Sequence, residues 1–526
     1  VPGHIDERHH REAPGKIYIP EKIGDQARRS SGDSGYSITE SCTSGYADAD
    51  YLTLVHATAR YVYQLAAVFV ASMLKCRFAR YIGATGVANM INGNQAFETD
   101  RHGWSELLPE RRPCAPLQGS HRVAWAVIGA GLTGLACARR LAERHPGQEI
   151  LLLDARCVGQ GASGRNSGFA VATSQFNGGF DERQLDNYRR VNRINLAGLN
   201  LLDAQVAEHD IECQWQREGF IHTAADRMAL REYEYFRRYL RALEIQHQLL
   251  DATDLQQRLG CRYYQAGIKI GDGALLQPAA LVRGLADCLP GNVRLHEHSP
   301  VMKLIDGKLP GLSLAHAEVV ADRIVVATNY EAPSLGLLRR YLIGSTLAGS
   351  FTRVLSAAER ASLGSLSEWG AISLHSGGAT VRLTRDGRIK IRNTAEYHGA
   401  QLLSDSQLAE RQATHRAAFE KRFPQLVQVP FEFAWSGVEG ITRNGTNFFG
   451  LQRANVYFAG GYNGSGVSRG TAFGTAIADY ASGEDTQTVS DCLASAPAAW
   501  IPPRPLLDIG AFFKVRSRFR GVGLDR

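Results

Sequence analysis

A single turn constrains this chain more than any other feature. Val123 to Ile128 is a short, apolar, β-branched run that leads directly into Gly129-Ala130-Gly131-Leu132-Thr133-Gly134. Leu135 to Arg144 then has helical spacing, and Glu149 to Leu153 reads as a second strand ending at Asp154. A strand–turn–helix–strand unit of about 30 residues is how a dinucleotide-binding sheet begins. Each glycine has a physical reason. The first permits the tight turn, the second lets a pyrophosphate approach the backbone, and the third lets helix and strand pack closely. Beyond the turn, the helix N-terminus offers unpaired N–H groups to phosphates. Asp154 stands 25 residues after Gly129, with Ala155 beside it, placed to bond ribose hydroxyls. A glycine triplet alone also fits a plain turn with a solvated Asp. The strand before it and the helix after it decide for the ligand.

The rest of the chain narrows the class. At 526 residues it exceeds one compact domain, and 44% hydrophobic with 21% charged residues is ordinary for a large core. The net charge of +7 is a mild excess; residues 1–121 hold 13 bases and 13 acids, so it lies further along, with no dense basic block. Nucleic acid is therefore not an expected partner. Nine cysteines without CxxC spacing argue against a zinc site, a disulfide framework and a dithiol redox centre, and fit a reducing compartment. Residues 1–35 carry no apolar signal region, so a cytoplasmic location is expected. The apolar run Val62 to Leu74 is interrupted by Gln64 and flanked by Arg60 and Lys75. It falls short of the about 18–20 residues of a membrane span, so membrane association is disfavoured. The first 50 residues have few apolar positions and are expected to be largely disordered.

Further along, 184–209, 226–247 and 405–422 read as helices. Residues 217–223, 263–272 and 293–328 read as strands, as does the block 370–395 around Arg385-Asp386-Gly387-Arg388. A last strand, Val456 to Ala459, enters Gly460-Gly461-Tyr462-Asn463-Gly464-Ser465-Gly466, and a helix of small residues follows from Gly470 to Ala481. A second small-residue loop, Gly159 to Gly168, surrounds Arg165 and Asn166 and can wrap closely around a ligand.

The runs at 127–134, 161–166 and 461–467, in that order, resemble the D-amino acid oxidase superfamily, which includes glycine oxidase, sarcosine oxidase and γ-glutamylputrescine oxidoreductase. The resemblance covers about residues 96–526. It implies FAD, held non-covalently, because no Cys stands near Trp435 and no His in the 159–168 loop. It implies cofactor contacts from Gly129, Ala130, Gly131, Leu132, Thr133, Gly134, Asp154 and Ala155. Gly161, Ala162, Ser163, Arg165, Asn166 and Gly168 would add to these, with Val301, Ala327 and Thr328. Gly461, Asn463, Gly464, Gly466 and Val467 would approach the flavin.

Trp435 to Gly450 is similar to the glycine oxidase segment Trp-x-Gly-Leu-Arg-Pro, in which the Arg grips a substrate carboxylate. That position is Glu439 here. A carboxylate cannot grip another at neutral pH, but it attracts an ammonium, so the departure favours an amine over an α-amino acid. The alternative is that Glu439 faces away and Arg443 or another base binds the substrate. Arg382 to Arg388 and the lead Gly103-Trp104 to Leu117 also resemble the γ-glutamylputrescine branch. Candidate substrate contacts are Glu439, Arg443, Trp435 and Phe448. His145, His222 and His375 are isolated, so no metal is expected.

The fold expected is α/β: a Rossmann-like FAD domain with an α+β, antiparallel-sheet substrate domain. FAD parts would span 123–215, 273–335 and 435–485, and substrate parts 216–272 and 336–434. An extension (1–95), a Pro-containing lead (96–122) and a tail (486–526) complete the chain. The expected activity is oxidation of a C–N bond in a small-molecule amine, with γ-glutamylated and other polyamine-type amines as candidates, by hydride transfer to flavin; an imine and then a carbonyl would form, with oxygen or another electron acceptor as partner and hydrogen peroxide as the product with oxygen. A quinone-linked dehydrogenase, an amino-acid or sarcosine-type oxidase and a non-catalytic flavin-binding subunit are the alternatives.

Overall fold

The computed structural model describes residues 101–173, 179–375 and 377–526. The expected disorder near the start and the Val62–Leu74 run lie outside them.

The first strand, Gly119–Ile128, pairs in parallel with Ile150–Leu153 on one side and Ala317–Val326 on the other. Val293–His296 extends the sheet beyond Ile150–Leu153, while Val456–Gly460 and then the antiparallel Phe448–Arg453 extend the opposite edge. A hairpin of Val301–Ile305 and Gly311–Leu314 branches from Ala317–Val326. Both faces are covered, as a parallel sheet requires. Val127, Ile150 and Leu152 point into one apolar cluster, and Ala126, Ile128, Leu151 and Leu153 into the other.

Helix Leu132–Arg144 crosses from the first strand to the second and packs against Gly466–Ala481. The small residues of the second helix now have a reason. A Cβ on Gly474 would lie 2.2 Å from the Thr133 carbonyl oxygen. Helix Leu185–Glu208 approaches just as closely: a Cβ on Gly198 would lie 1.8 Å from the Ser468 carbonyl oxygen.

The second sheet runs, edge to edge, Phe431–Ile441, Ile343–Thr352, Ile389–Glu396, Thr380–Leu383, Trp369–Ser373, Phe220–Ala224, Ala266–Ile270 and His247–Asp251. It is antiparallel except where Trp369–Ser373 runs parallel to Phe220–Ala224. Strand Phe431–Ile441 therefore belongs wholly to this sheet, and a boundary drawn between 434 and 435 cuts through it. Helix Asp405–Arg422, capped by the Ser404 hydroxyl, covers one face, and Phe419 and Phe423 join Val381, Ile389 and Ile391 beneath it. The opposite face of the same strands is turned toward the first sheet and its loops.

Two helices, Gln487–Leu493 and Leu506–Arg520, occupy the stretch that sequence reads as a tail. Among the described residues, no helix is long and apolar enough to cross a membrane.

Candidate active site

The glycine turn is built as its residues demand. Gly129 has φ +100°, and a Cβ on Gly134 would sit 1.7 Å from the Gly129 carbonyl oxygen. Gly131 caps helix Leu132–Arg144, where a Cβ would come 2.8 Å from Ser163 Oγ. Ser163 Oγ accepts from the Leu132 amide at 3.1 Å, so the 159–168 loop is fastened to the turn. The Asp154 carboxylate accepts from the amides of Ala130 (2.7 Å) and Arg156 (2.8 Å), tying the second strand's end to the turn. Burial pushes its pKa up to about 6 against those two bonds.

A cavity of about 1320 Å³ starts at this turn and runs to the second sheet. That exceeds the roughly 300–1,000 Å³ of a pocket for one small ligand and leaves room for a dinucleotide and a substrate. Its wall includes Gly129 to Thr133, Asp154, Ala155, Gly161, Ala162, Ser163, Arg165 and Asn166. Val301, Ala327, Thr328, Asn463, Gly464, Gly466 and Val467 line it as well. Gly134, Gly168 and Gly461 stand behind the wall. Gly168, at φ +77°, leaves no space beside the Leu276 carbonyl, and the Gly461 amide donates to Asn329 Oδ1 at 2.8 Å. The cradle fits a bound dinucleotide on two counts: a helix N-terminus faces the cavity without an acid in its first turn, and Thr328 Oγ1 is buried in the wall with no hydrogen-bond partner.

The substrate end is the face of the second sheet opposite helix Asp405–Arg422. Cross-strand pairing aligns Trp435, Gly349, Arg392, Thr380, Ile372 and His222 in one row, and all six line the cavity. Alternation along Phe431–Ile441 adds Gly437 and Glu439 to the same face. The Glu439 carboxylate looks across to the cofactor-side loop: its Oε2 is 3.5 Å from where a Cβ on Gly464 would stand.

The four substrate candidates separate. Glu439, Arg443 and Trp435 reach the wall. Arg443 is exposed at the rim and donates to the Trp500 carbonyl at 3.2 Å. Trp435 is buried, edge-on to Trp104 and tilted on Phe351, and its Nε1 donates to the Arg165 carbonyl at 3.0 Å. Arg165 returns a bond from Nη1 to the Ser436 carbonyl at 3.0 Å. This pair stitches the 159–168 loop to the second sheet. Phe448 does not reach the wall; its ring packs edge-on against Tyr341 and Phe458.

Sequence reasoning passed over Lys390 and Arg392. Both lie on the cavity face of Ile389–Glu396, while Ile389 and Ile391 point into the core. The signal was present as alternating apolar and basic residues in one strand. Lys390 is 2% exposed, and its Nζ donates to Ser167 Oγ at 2.8 Å and lies 5.6 Å from the Trp435 ring centre. Burial, then the neighbouring Arg392 and Arg382, hold its pKa well below that of an ordinary lysine. Helix Leu506–Arg520 was also missed; Lys514, Val515, Ser517 and Phe519 from it close the cavity's outer side.

Residues 124–480 match the family model described as FAD dependent oxidoreductase, DAO. The chain belongs to that family. It is 27% identical over 388 residues to a probable oxidoreductase, OrdL, of Haemophilus influenzae, covering 70% of this chain and 85% of the relative. It is 26% identical over 411 residues to the gamma-glutamylputrescine oxidoreductase of Escherichia coli, covering 74% and 92%. Among solved structures, glycine oxidase from Geobacillus kaustophilus superposes with a TM-score of 0.60 at 18% identity, over 70% of this chain and 96% of that one. This family member is therefore an FAD-dependent oxidoreductase acting on C–N groups of amine or amino-acid type substrates.

Proposed function

We propose that the chain oxidises a C–N bond of an amine, with Glu439 receiving the substrate's ammonium and oxygen as the final acceptor. The observation that carries this is a carboxylate on the cavity face of Phe431–Ile441, opposite Gly464, where the amino-acid oxidases it resembles carry an Arg. The E. coli relative is named for an amine, gamma-glutamylputrescine, which supports the same substrate class.

FAD, when bound, takes up the hydride leaving the carbon beside nitrogen, and oxygen recovers that electron pair as hydrogen peroxide. Gly129 to Thr133 and Asp154 would hold its ADP half, and the 161–166 and 463–467 loops its flavin end. The protein's own residues bind, orient and keep water out. Glu439 attracts the ammonium and can accept its proton, leaving the neutral amine whose lone pair assists hydride departure. Burial, with the neighbouring Arg392 and Arg382, lowers the pKa of Lys390, which weakens the positive charge it sets against that amine. The imine product then takes up water and breaks into a carbonyl compound and an amine or ammonia.

The test is anaerobic flavin bleaching by a panel of amines and α-amino acids, followed by oxygen uptake and peroxide assay with the best substrate. Amines are expected to bleach the flavin. Glu439→Gln should raise KM about tenfold or more, the loss of one charged contact. Bleaching by α-amino acids but by no amine would sink the proposal.

A further inference from the structure

Helix Leu506–Arg520 is apolar on two sides, and the protein covers one of them. Leu507, Ala511, Val515 and Phe519 recur at four-residue spacing and are half-buried, and Val515 and Phe519 face the cavity. Leu506, Ile509 and Phe513 follow the i, i+3, i+7 spacing of the opposite side, with Phe512 next to them. These four are 46–63% exposed. The Phe512 and Phe513 rings meet edge-on at 5.5 Å and stand out together. Trp500, in the segment before the helix, is exposed too, and its carbonyl is held by Arg443. A helix apolar all round is ordinarily buried. With 15 residues this one is too short for a bilayer, which takes about 20 to span. Large apolar side chains clustered on the outside mark a surface that something else covers.

Charge decides what that is. Lys514, Arg516, Arg518 and Arg520 follow the exposed aromatic pair in the helix, and Arg526 comes after it. Lys514, Arg520 and Arg526 are exposed. The acids of the same stretch do not offset them at the surface: Asp508 is paired with Arg504 at 3.3 Å, and Asp525 is buried. A second copy docked by two-fold symmetry would set this patch on itself and bring bases onto bases, which is unfavourable. The chain's own apolar run, Val62 to Leu74, is bounded by Arg60, Lys75, Arg77 and Arg80 and carries the same sign. Cores of protein–protein interfaces are depleted in lysine. Helices that lie on a membrane set Phe, Leu and Trp into the headgroup boundary with Lys and Arg alongside. A fluid bilayer also needs no matching shape.

We infer that the outer face of helix Leu506–Arg520 docks on an anionic lipid surface. Leu506, Ile509, Phe512 and Phe513 enter the headgroup boundary, and Lys514 and Arg520 meet the lipid phosphates. Surface binding of this kind needs no spanning segment. The inner face of the same helix closes the cavity's outer side, so that side lies against the bilayer surface. An anionic surface also concentrates cationic amines, the substrate class proposed above, beside the cavity.

The experiment is co-sedimentation of the full-length holoenzyme with vesicles of phosphatidylcholine, alone or with about one-third phosphatidylglycerol. Flavin content and melting temperature are checked for every variant. Binding to the anionic vesicles should be saturable, at least about tenfold tighter than to the neutral ones, and weakened by about 0.5 M salt. The double variant Phe512→Ser, Phe513→Ser keeps a soluble surface and should bind the anionic vesicles about tenfold or more weakly. Lys514→Gln with Arg520→Gln should weaken the same binding by about threefold or more. Amide hydrogen exchange locates the contact: within 506–520 it should slow on anionic vesicles in the wild type and not in the serine variant. No binding to anionic vesicles, or equal binding by the serine variant, would overturn the inference. A dimer in sedimentation velocity that the serine variant dissolves would overturn it in favour of a second copy. Binding to soluble polyglutamate but not to vesicles would overturn it in favour of an acidic protein.

Discussion

At the scale of single residues, the glycines of the turn are not equivalent, and substitution should show it. Gly134→Ala places a methyl 1.7 Å from a backbone oxygen that cannot move without breaking the first strand's end. Gly131→Ala meets only Ser163 Oγ, the end of a small side chain, at 2.8 Å. Gly134→Ala should therefore yield little folded, flavin-loaded protein. Gly131→Ala should fold, lose the Ser163 bond to the Leu132 amide at a cost of about 1 kcal/mol, and release flavin more readily. Flavin-to-protein ratio after gel filtration separates the two, and equal ratios would contradict this account. Asp154→Ala belongs with them. It strands the Ala130 and Arg156 amides, at about 1–3 kcal/mol each if water does not replace the carboxylate, and should also lower flavin retention. The glycine turn was legible in sequence because its chemistry is local. Phe448 was not, because nothing in its neighbours tells whether an aromatic ring turns to a cavity or to Tyr341 and Phe458. Lys390 and Arg392 were half legible: alternation put them on one face, but only the covering helix Asp405–Arg422 shows which face is core.

At the scale of elements, helix Asp405–Arg422 is found where its pattern predicts, since Ser404 and Gln407 form a capping box that marks its start. Helices Leu132–Arg144 and Gly466–Ala481 begin three and four residues earlier than their apolar spacing suggests, because their first turns, Leu-Thr-Gly and Gly-Val-Ser-Arg, carry small and polar residues that break the apolar pattern. Strand Ile343–Thr352 escaped notice because Gly344, Ser345, Gly349 and Ser350 lower its β-propensity. Gly344 is small for a reason only the fold reveals: a Cβ there would lie 2.6 Å from Ala400. The segment that follows helix Leu506–Arg520 is held by Arg422, whose guanidinium donates to the carbonyls of Asp525 and Arg526 at 3.1 Å each. Arg422→Ala leaves these oxygens and Tyr264 without their donor and should cost about 3 kcal/mol. It should also loosen the helix that closes the cavity. Faster proteolysis within 500–526 and a raised KM, with flavin content unchanged, are the expected signs. A raised KM without increased cleavage would mean that Arg422 acts by another route.

At the scale of the whole molecule, buried ionisable groups set how stability follows pH. Burial lowers His102, His222 and His415 each to about 3, so all three are neutral in the fold. Their unfolded counterparts take up protons near 6.5, so the stability they contribute is present above that pH and is lost as pH falls toward 3. Each costs about 1.4 kcal/mol per pH unit in that window. Asp154 and Asp525 act in the opposite sense. Burial raises each to about 6, so their contribution is present below 3.8 and is lost as pH rises through 6. Between about pH 6 and 4 two carboxylates offset two of the three histidines, leaving a slope of about 1.4 kcal/mol per unit. Below about pH 4 the carboxylates are protonated in both states and the three histidines act unopposed, at about 4 kcal/mol per unit. Denaturant midpoints should therefore decline gently from about pH 6 to 4 and collapse below it. Asp525→Asn removes one offset and should double the gentle slope. A steep decline already at about pH 6 in the wild type would show that Asp154 and Asp525 titrate as ordinary carboxylates, and that the turn holding Asp154 is wetter than its packing implies.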